Sequence, residues 1–501
     1  MNTLQYRDNL SRELIEEFRP SHQFAQLEPS PPLGRLTFKP DAIATKEYPD
    51  YAAEGGTVTV IEDGCSRATM SFIAYSKPAA NSRRPVTLVM NGGPLSPGTL
   101  WNHNELFSPR ILRHELNGHL KPGSVPEANP HTLLQESDMV FLDPIGTGYG
   151  QPLSESDVAR FFGVENDAAV ALAFLEAYLH SHNRDDASII LAGSSYATLR
   201  MTAIANMLQQ KNRDAAALLL VSGNYDHSLT AHDAENPENN RLASITNLPS
   251  FAVAAMHHNA AARRRRPADY YNEVAEFAWG PYAQALKTKK YPRNLIEKIA
   301  SLTGLDTKLI QANQLQVPLS VFQKQLLGRQ GLMLSGVDSR LAFKATQPVT
   351  VDPALDNWEP HYKKTTNDTF ARIGYSTENT DYNGILMVYP QWPFTNDWQE
   401  RTAAVTMRTL LQNSPHLRIA EVSGLYDLIG NRQKREVFWQ QLLPECKPWQ
   451  QKNMPAVNTV PAPRVISTYE IAAGHQPGVD PTSQDFVGKL ACRLAAAVAQ
   501  M

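Results

Sequence analysis

The sequence has few cysteines and no long apolar run. Cys65, Cys446 and Cys492 are far apart, so the chain has no CxxC pair and no spacing typical of a metal site. Scattered cysteines of this kind are typical of reduced thiols in an intracellular protein. No apolar stretch approaches the roughly 20 residues of a membrane-spanning helix, and the polar N-terminus lacks the apolar segment of a secretory signal. We therefore predict a cytoplasmic protein with no membrane partner.

Excess charge of one sign is also lacking. The net charge is −3, with 47 Lys and Arg against 50 Asp and Glu. Binding to nucleic acid depends on clustered positive charge, which this balance does not provide. The one arginine run, at 263–266, is short and isolated, and such runs are usually solvated loops. We predict no nucleic-acid partner.

Short apolar segments that alternate with helical segments predict an α/β protein with a mostly parallel sheet and helices on both faces. A hairpin is predicted ahead of these segments, with Asp63-Gly64 at its turn. The predicted strands are 56–61, 68–75, 86–90, 139–142, 188–192, 216–223, 418–424 and 464–469.

The pattern changes in the middle of the chain, where helical segments dominate and strand signals nearly vanish. We interpret this region as a helical cap inserted into the sheet domain. The predicted organisation is an N-terminal helix and proline-rich connector at 1–40, a core at 41–226 and 383–501, and a mainly helical cap at 227–382.

Ser195 lies at the centre of Gly193-Ser194-Ser195-Tyr196-Ala197, between an apolar strand and a helical segment. A nucleophile elbow requires this order of strand, sharp turn and helix. The small residues two positions before and after Ser195 allow the strand and the helix to approach closely. The sequence therefore predicts that Ser195 is a nucleophile.

A serine hydroxyl needs a neutral imidazole to take its proton and an acid to fix the imidazole tautomer. His475 follows the last predicted strand, beside Gly474, although a surface loop histidine is the alternative reading. Asp427 follows the strand at 418–424, where an aspartate beside glycine is often only a turn residue. Asp226 follows the strand at 216–223 and is a competing acid. We favour Asp427 and keep both candidates.

Asn91-Gly92-Gly93-Pro94 ends the strand at 86–90 abruptly and is predicted to form an oxyanion hole. Its backbone N–H groups would face the nucleophile from the neighbouring strand. The second donor would be the backbone N–H of Tyr196, the residue after the nucleophile. A plain tight turn is the alternative reading. Since a triad and two backbone donors suffice for acyl transfer, we predict no cofactor and no metal.

Five motifs follow one another along the chain: the turn at 91–94 with Trp101 shortly after it, and the stretches 142–149, 193–200, 423–427 and 473–475. Together they resemble the serine carboxypeptidase family, and within it the bacterial branch. The resemblance covers about residues 55–495 and implies an α/β-hydrolase fold with a helical cap. It also implies a triad of Ser195, Asp427 and His475, oxyanion donors at Gly93 and Tyr196, and removal of a C-terminal residue from a peptide.

The resemblance also implies a site for the substrate carboxylate, at which this sequence departs from the family. Asn91 and Gly92 match the family's carboxylate-binding turn, but Ser194 stands where the family has a glutamate. Serine donates one neutral hydrogen bond, so the change would cost about 1–3 kcal/mol of binding. Leu95 replaces a glycine and is expected to narrow the space over the turn, and Pro97 interrupts the serines that usually follow.

Three functions are compatible with these residues. The first is a carboxypeptidase-type serine hydrolase that cleaves a peptide or amide bond through an acyl-enzyme on Ser195. The second is an acyltransferase that uses the same intermediate in a specialised biosynthetic role, with a small peptide or an acyl or amide compound as substrate. The third, a non-catalytic binding protein, is disfavoured by the complete set of Ser195, Asp427 and His475.

Overall fold

The structure is a computed structural model. It describes residues 32–77, 84–115, 118–120, 123–154, 157, 159–225, 240–259, 265–344, 352–376, 381–384, 392, 402–442 and 466–500. The predicted N-terminal helix, Cys446 and the alternative acid Asp226 lie outside these residues. Among the described residues, no helix has both the length and the apolar character needed to cross a membrane.

The strands are defined first, because they carry the site. They are β1 Leu36–Tyr48, β2 Tyr51–Glu62, β3 Cys65–Ser76, β4 Val86–Met90, β5 Arg110–Ile111, β6 Glu127–Ala128, β7 Asp138–Leu142, β8 Ile189–Ser194, β9 Ala215–Val221, β10 Leu332–Leu334, β11 Ala342–Lys344, β12 Arg418–Gly424 and β13 Ile466–Ile471.

The helices surround the sheet and form the cap. They are α1 Val164–Ser181, α2 Ala197–Gln210, α3 Arg241–His258, α4 Pro267–Phe277, α5 Ala283–Thr288, α6 Arg293–Thr303, α7 Thr307–Ala312, α8 Leu319–Gln325, α9 Pro353–Ile373, α10 Thr402–Asn413, α11 Arg432–Leu442 and α12 Pro481–Ala499. Two π-helical turns, His103–Phe107 and Ala278–Tyr282, interrupt the regular helices.

A nine-stranded sheet in the order β1-β2-β3-β7-β4-β8-β9-β12-β13 forms the centre of the described residues. Strands β1, β2 and β3 are antiparallel to their neighbours, and all strands from β7 to β13 in this order are parallel. Successive side chains of a strand point to opposite faces, so Leu88 and Val89 contribute to different apolar clusters. Helices α1, α2 and α10 cover one face, and α9 and α12 cover the other. This is the predicted mostly parallel α/β architecture.

The segment predicted as a connector contains the start of a strand. Residues from Leu36 onward form β1, which pairs along its length with β2 at the edge of the sheet. Most of its side chains are exposed, and Pro40 and several charged residues interrupt any apolar alternation. An edge strand with so little buried surface has no hydrophobic period from which the sequence could predict it.

A third apolar cluster joins helices α3 to α8 with one loop of the sheet domain. Leu425, Tyr426 and Leu428, which follow β12, pack into this helical cluster. By contrast, α9 packs on the sheet face against β1 and β2, although the predicted cap extends to residue 382. The cap limits of 227–382 stay a prediction. The helical cluster fixes the loop that contains Asp427.

Candidate active site

Ser195 lies in a tight turn between β8 and α2. Its φ is +57°, a left-handed conformation that non-glycine residues seldom adopt. A Cβ on Gly193 would lie 2.7 Å from the carbonyl oxygen of Ala197, so only glycine allows this approach of strand and helix. The Ser195 N–H donates to the carbonyl of Val221 on β9 at 2.9 Å. Ser195 is half-buried, whereas its neighbours on both sides are buried. The turn thus presents a single accessible side chain.

The turn at Asn91–Pro94 packs directly against Ser195. A Cβ on Gly92 would lie 2.6 Å from Ser195 Cβ and 2.8 Å from the backbone nitrogen of Tyr196. Gly93 has φ of +109°, which favours glycine at this position too. The predicted oxyanion residues therefore lie beside the predicted nucleophile. This follows because β4 and β8 are neighbouring parallel strands, whose carboxyl ends lie at the same edge of the sheet.

Arg200 holds this turn in place, a role that sequence reasoning missed. It is fully buried on α2, and its guanidinium donates to the carbonyls of Asn91 at 2.6 Å and Pro94 at 2.8 Å. Its third contact is an ion pair with Asp167 of α1 at 2.6 Å. The five donors of a guanidinium suit this bridging, whereas a lysine would reach one carbonyl at a time. The only sequence signal was an arginine amid the small and apolar residues that follow the elbow.

His475 and Asp427 are brought together at the same sheet edge. Their loops follow the adjacent parallel strands β13 and β12, and His475 Nδ1 lies 2.8 Å from Asp427 Oδ2. Asp427 is fully buried, and its Oδ1 accepts from the backbone N–H groups of Ile429 at 2.8 Å and Gly430 at 2.9 Å. A carboxylate accepts, so His475 carries its proton on Nδ1 and leaves Nε2 as an acceptor.

A row of backbone hydrogen bonds connects the ends of the four strands that carry these loops. Ser195 N–H donates to Val221 at the end of β9, and Ser222 N–H donates to Val422 of β12 at 2.7 Å. Leu425 N–H then donates to Ile471 of β13 at 2.9 Å. The loops with Ser195, Asp427 and His475 therefore follow neighbouring strand ends on one edge of a continuous sheet.

The segment 335–340 accepts hydrogen bonds from the loop that contains His475 and from the loop that contains Asp427. His475 N–H donates to the carbonyl of Val337 at 2.5 Å, and Leu428 N–H donates to that of Gly336 at 3.0 Å. Asp338 pairs with Arg340, whose guanidinium also reaches the carbonyl of Ala472 at 2.6 Å. Sequence reasoning treated this segment only as part of the cap. The contacts to His475 and Leu428 use backbone carbonyls, which every residue type has, so the sequence does not indicate them.

Ser194 is buried and faces away from solvent. Its Oγ accepts a hydrogen bond from Asn102 Nδ2 at 2.7 Å, and the amide oxygen of Asn102 has no hydrogen-bond partner among the described residues. Leu95 does not lie over the oxyanion turn as expected. Instead it packs into the apolar cluster on the α1 side, beside Met90 and Ile145. A side chain at 95 therefore fills core volume.

Glu105 is a second group that sequence reasoning missed. It is fully buried in the π-helical turn three residues after Asn102, and Tyr362 lies beside its carboxyl group. Burial raises the pKa of this carboxyl to about 8, because the charged form loses its hydration. A Cβ on Gly478, three residues after His475, would collide with Glu105. The acid thus lies between the Ser194 contact and the His475 loop.

The positions of the protons near Glu105 follow from which neighbouring atoms can donate a hydrogen bond and which can only accept one. His114 Nδ1 lies 3.0 Å from the carbonyl of Gly118, which only accepts, so Nδ1 carries the proton. His114 Nε2 then accepts from the Tyr362 hydroxyl at 2.6 Å. Burial lowers the pKa of His114 to about 4, so the ring is neutral. Tyr362 also lies beside Glu105 and lowers the pKa of that carboxyl, but by less than burial raises it.

No metal ligands are grouped in the described ranges, since no three His, Cys, Asp or Glu side chains lie together. Cys65 and Cys492 are free thiols there. The candidate site therefore consists of a strained serine turn, a buried histidine–aspartate pair, a glycine turn and a buried acid. Together with the sheet order, these features define an α/β-hydrolase.

The sequence profile described as serine carboxypeptidase matches residues 46–460. Because this match spans most of the chain, the protein belongs to the serine carboxypeptidase family. The sequence of this chain matches no curated protein.

Solved structures resemble the fold. Kex1(Δ)p, a prohormone-processing carboxypeptidase from Saccharomyces cerevisiae, has a TM-score of 0.50 and 16% identity, over 77% of this chain and 76% of that one. Proline iminopeptidase from Mycobacterium smegmatis has a TM-score of 0.31 and 10% identity, over 92% and 97%. At these identities, the likeness to Kex1(Δ)p shows the α/β-hydrolase fold alone.

Proposed function

We propose that this protein is a carboxypeptidase-type serine hydrolase that cleaves a peptide or amide bond through an acyl-enzyme on Ser195. The observation that carries the proposal is the buried hydrogen bond between His475 and Asp427, at the same sheet edge as the Ser195 turn. A histidine held in this tautomer by a buried acid is what a serine nucleophile needs.

The proposed reaction is acyl transfer in two stages. Ser195 Oγ attacks the scissile carbonyl carbon and passes its proton to His475 Nε2. The oxyanion accepts hydrogen bonds from the backbone N–H groups of Gly93 and Tyr196. The C–N bond breaks as His475 gives the proton to the leaving amine. Water then attacks the ester, gives its proton to His475, and Ser195 recovers that proton as the acid leaves.

We assign recognition of the substrate carboxylate to Asn91, Gly92, Ser194 and Glu105. The first three come from the family resemblance, and Glu105 is supported by its burial and its raised pKa. A neutral carboxylic acid can donate a hydrogen bond to a carboxylate, which serine alone does less strongly. On this assignment Glu105 provides part of the hydrogen bonding to the substrate carboxylate that a glutamate at position 194 would provide.

A pair of matched peptides tests the proposal. A peptide with a free C-terminus should lose its last residue, whereas the same peptide with a C-terminal amide should react about 5- to 150-fold more slowly, since the carboxylate contact is worth about 1–3 kcal/mol. The products are identified by mass spectrometry with and without an added amine. Equal rates for both peptides would contradict carboxylate recognition. Predominance of the amide product would replace hydrolysis with the acyltransferase alternative.

The pH dependence of substrate binding tests the role of Glu105. Because the pKa of Glu105 is raised to about 8, the donor form dominates below that pH and the repelling carboxylate dominates above it. KM for the free-acid peptide should therefore rise up to about tenfold per pH unit above about pH 8, a range in which an ordinary histidine is already neutral. Steady-state kinetics from about pH 7 to about pH 9.5 measure this rise.

Two controls isolate this effect. Glu105→Gln keeps a neutral donor of similar shape, so its KM should not vary over the same range. The C-terminally amidated peptide should show no rise in KM with the wild-type enzyme either. A wild-type KM that stays constant, or a rise that persists in Glu105→Gln, would show that another group is responsible.

Two further assignments are proposals from the sequence. Membership of the bacterial branch is supported by the five ordered motifs. A cytoplasmic location is supported by the scattered cysteines, of which Cys65 and Cys492 are free.

A further inference from the structure

A cavity of about 220 Å³ lies apart from the candidate active site, between strands β2 and β3, the π-helical turn after Asn102, and α9. None of the proposed catalytic or carboxylate-binding residues lines it. We call it the tyrosine pocket, and its walls include Tyr48, Tyr51, Tyr75, His103, Arg110 and Arg372.

Three aromatic rings form one wall of the tyrosine pocket. Tyr48 and Tyr51 are stacked with centroids 4.6 Å apart, and Tyr51 meets Tyr75 edge to face at 5.9 Å. Tyr48 and Tyr51 are half-buried, whereas Tyr75 is buried. Aromatic faces of this kind favour a flat ring in stacked or edge-on contact.

The inner end of the pocket is uncharged. His103 Nδ1 donates to the amide oxygen of Asn104 at 3.3 Å, so its Nε2 accepts from the Tyr75 hydroxyl at 2.8 Å. Burial lowers the pKa of His103 to about 4, which keeps the ring neutral. The polar atoms at this end are thus paired with each other, and an apolar ring entering the pocket would meet no unmatched charge.

Two arginines supply positive charge at the outer end. The Arg110 guanidinium donates to the carbonyl of Pro126 at 2.5 Å, and that of Arg372 to the carbonyl of Asp368 at 3.1 Å and the hydroxyl of Thr369 at 3.0 Å. Neither arginine is ion-paired with a carboxylate in the part of the chain that the structure describes. The side chain of Asp368, the nearest acid along α9, bonds to Lys364 instead.

The two guanidinium groups act on the same part of the pocket. Both line the same cavity as Tyr51, and both lower the pKa of its phenol, although burial raises it more. Exposed arginines whose partners among the described residues are neutral oxygens keep donors for an anion. A guanidinium prefers planar, two-oxygen partners such as a carboxylate, and it also stacks on aromatic faces.

We propose that the tyrosine pocket binds a small aromatic carboxylate, with the ring against the tyrosines and the carboxylate on Arg110 and Arg372. The volume suits this class, because a cavity of about 150 Å³ already holds a benzene ring. About 220 Å³ leaves room for one fused ring system or a ring with a short acidic arm. The site is independent of the reaction proposed at Ser195.

Calorimetric titration of the full chain with indole-3-acetate tests the proposal. Three matched probes separate its parts: tryptamine has the ring with a positive charge, indole has the ring alone, and acetate has the charge alone. Indole-3-acetate should bind saturably and at least about tenfold more tightly than each of the others, since a charge-assisted hydrogen bond and a buried ring both contribute. Absent binding, or equal binding of tryptamine, would overturn the proposal.

Substitutions locate the binding. Arg110→Gln and Arg372→Gln should each weaken indole-3-acetate binding about tenfold, and Tyr51→Leu should weaken both indole-3-acetate and indole. Arg293→Gln, at an exposed arginine on α6, is the matched control and should bind as wild type does. Indole-3-acetate binding that survives both pocket arginine substitutions would place the ligand elsewhere and reject the tyrosine pocket.

Discussion

Replacing Ser195 with alanine should lower kcat/KM by on the order of 10⁶-fold, the loss seen when a serine nucleophile is removed. The acyl-enzyme cannot form without Oγ, and the remaining rate would come from the oxyanion donors and substrate binding. The fold should persist, because alanine keeps the Cβ and the Ser195 backbone N–H still donates to Val221. Rates on the free-acid peptide and the thermal midpoint would be measured together.

A matched serine provides the control. Ser423 is buried at the end of β12, and its hydroxyl has no hydrogen-bond partner among the described residues, so Ser423→Ala should keep near wild-type activity. A fluorophosphonate probe should add one phosphonyl group to wild type and to Ser423→Ala, and none to Ser195→Ala. Labelling of Ser195→Ala at another residue would show that the nucleophile lies elsewhere.

Most of the parallel strands were predictable because they are short, largely buried and mainly apolar runs. The strand predicted at 418–424 has these limits in the structure, and 86–90 does as well. The ordering of strands in the sheet also made the site predictable in part. Loops that follow parallel neighbours emerge at one edge, so His475 could be expected near Asp427 before any contact was known.

Other parts of the site depend on contacts between distant segments. Arg200, Glu105 and the segment 335–340 have ordinary residue types at unremarkable positions, and their roles come from burial. Burial gives Glu105 its raised pKa, and the fully buried Arg200 side chain meets the carbonyls of the glycine turn. No local sequence pattern indicates the burial of either side chain, because the residues that surround them lie up to hundreds of positions away in the chain.

These contacts also change the interpretation of Ser194. From sequence, a serine in place of a glutamate suggested that carboxylate recognition was weakened. In the structure Ser194 bonds to Asn102, and Glu105 lies three residues further along the same turn. A neutral acid is therefore retained near the site on another element. Weakened recognition at one position does not by itself argue for a different reaction.

Asp427→Asn should lower kcat by about 10⁴-fold, the loss seen when an asparagine fixes the wrong histidine tautomer. The backbone N–H groups of Ile429 and Gly430 both donate to Oδ1, so an asparagine would keep its carbonyl oxygen there. Its NH₂ group would then occupy the Oδ2 position, 2.8 Å from His475 Nδ1. Two donors cannot face each other, so the ring proton would move to Nε2, which could no longer accept from Ser195.

Two further measurements test this prediction: the tautomer of His475, and the activity of a variant at the alternative acid, Asp226. Nitrogen NMR shifts of His475 should report protonation at Nδ1 in wild type and at Nε2 in Asp427→Asn, with little change in thermal midpoint because the turn bonds persist. Asp226→Asn is the matched variant at the competing acid and should stay within a few-fold of wild type. A large loss in Asp226→Asn with an active Asp427→Asn would reverse the assignment, since only the acid that orients His475 controls which ring nitrogen can take the serine proton.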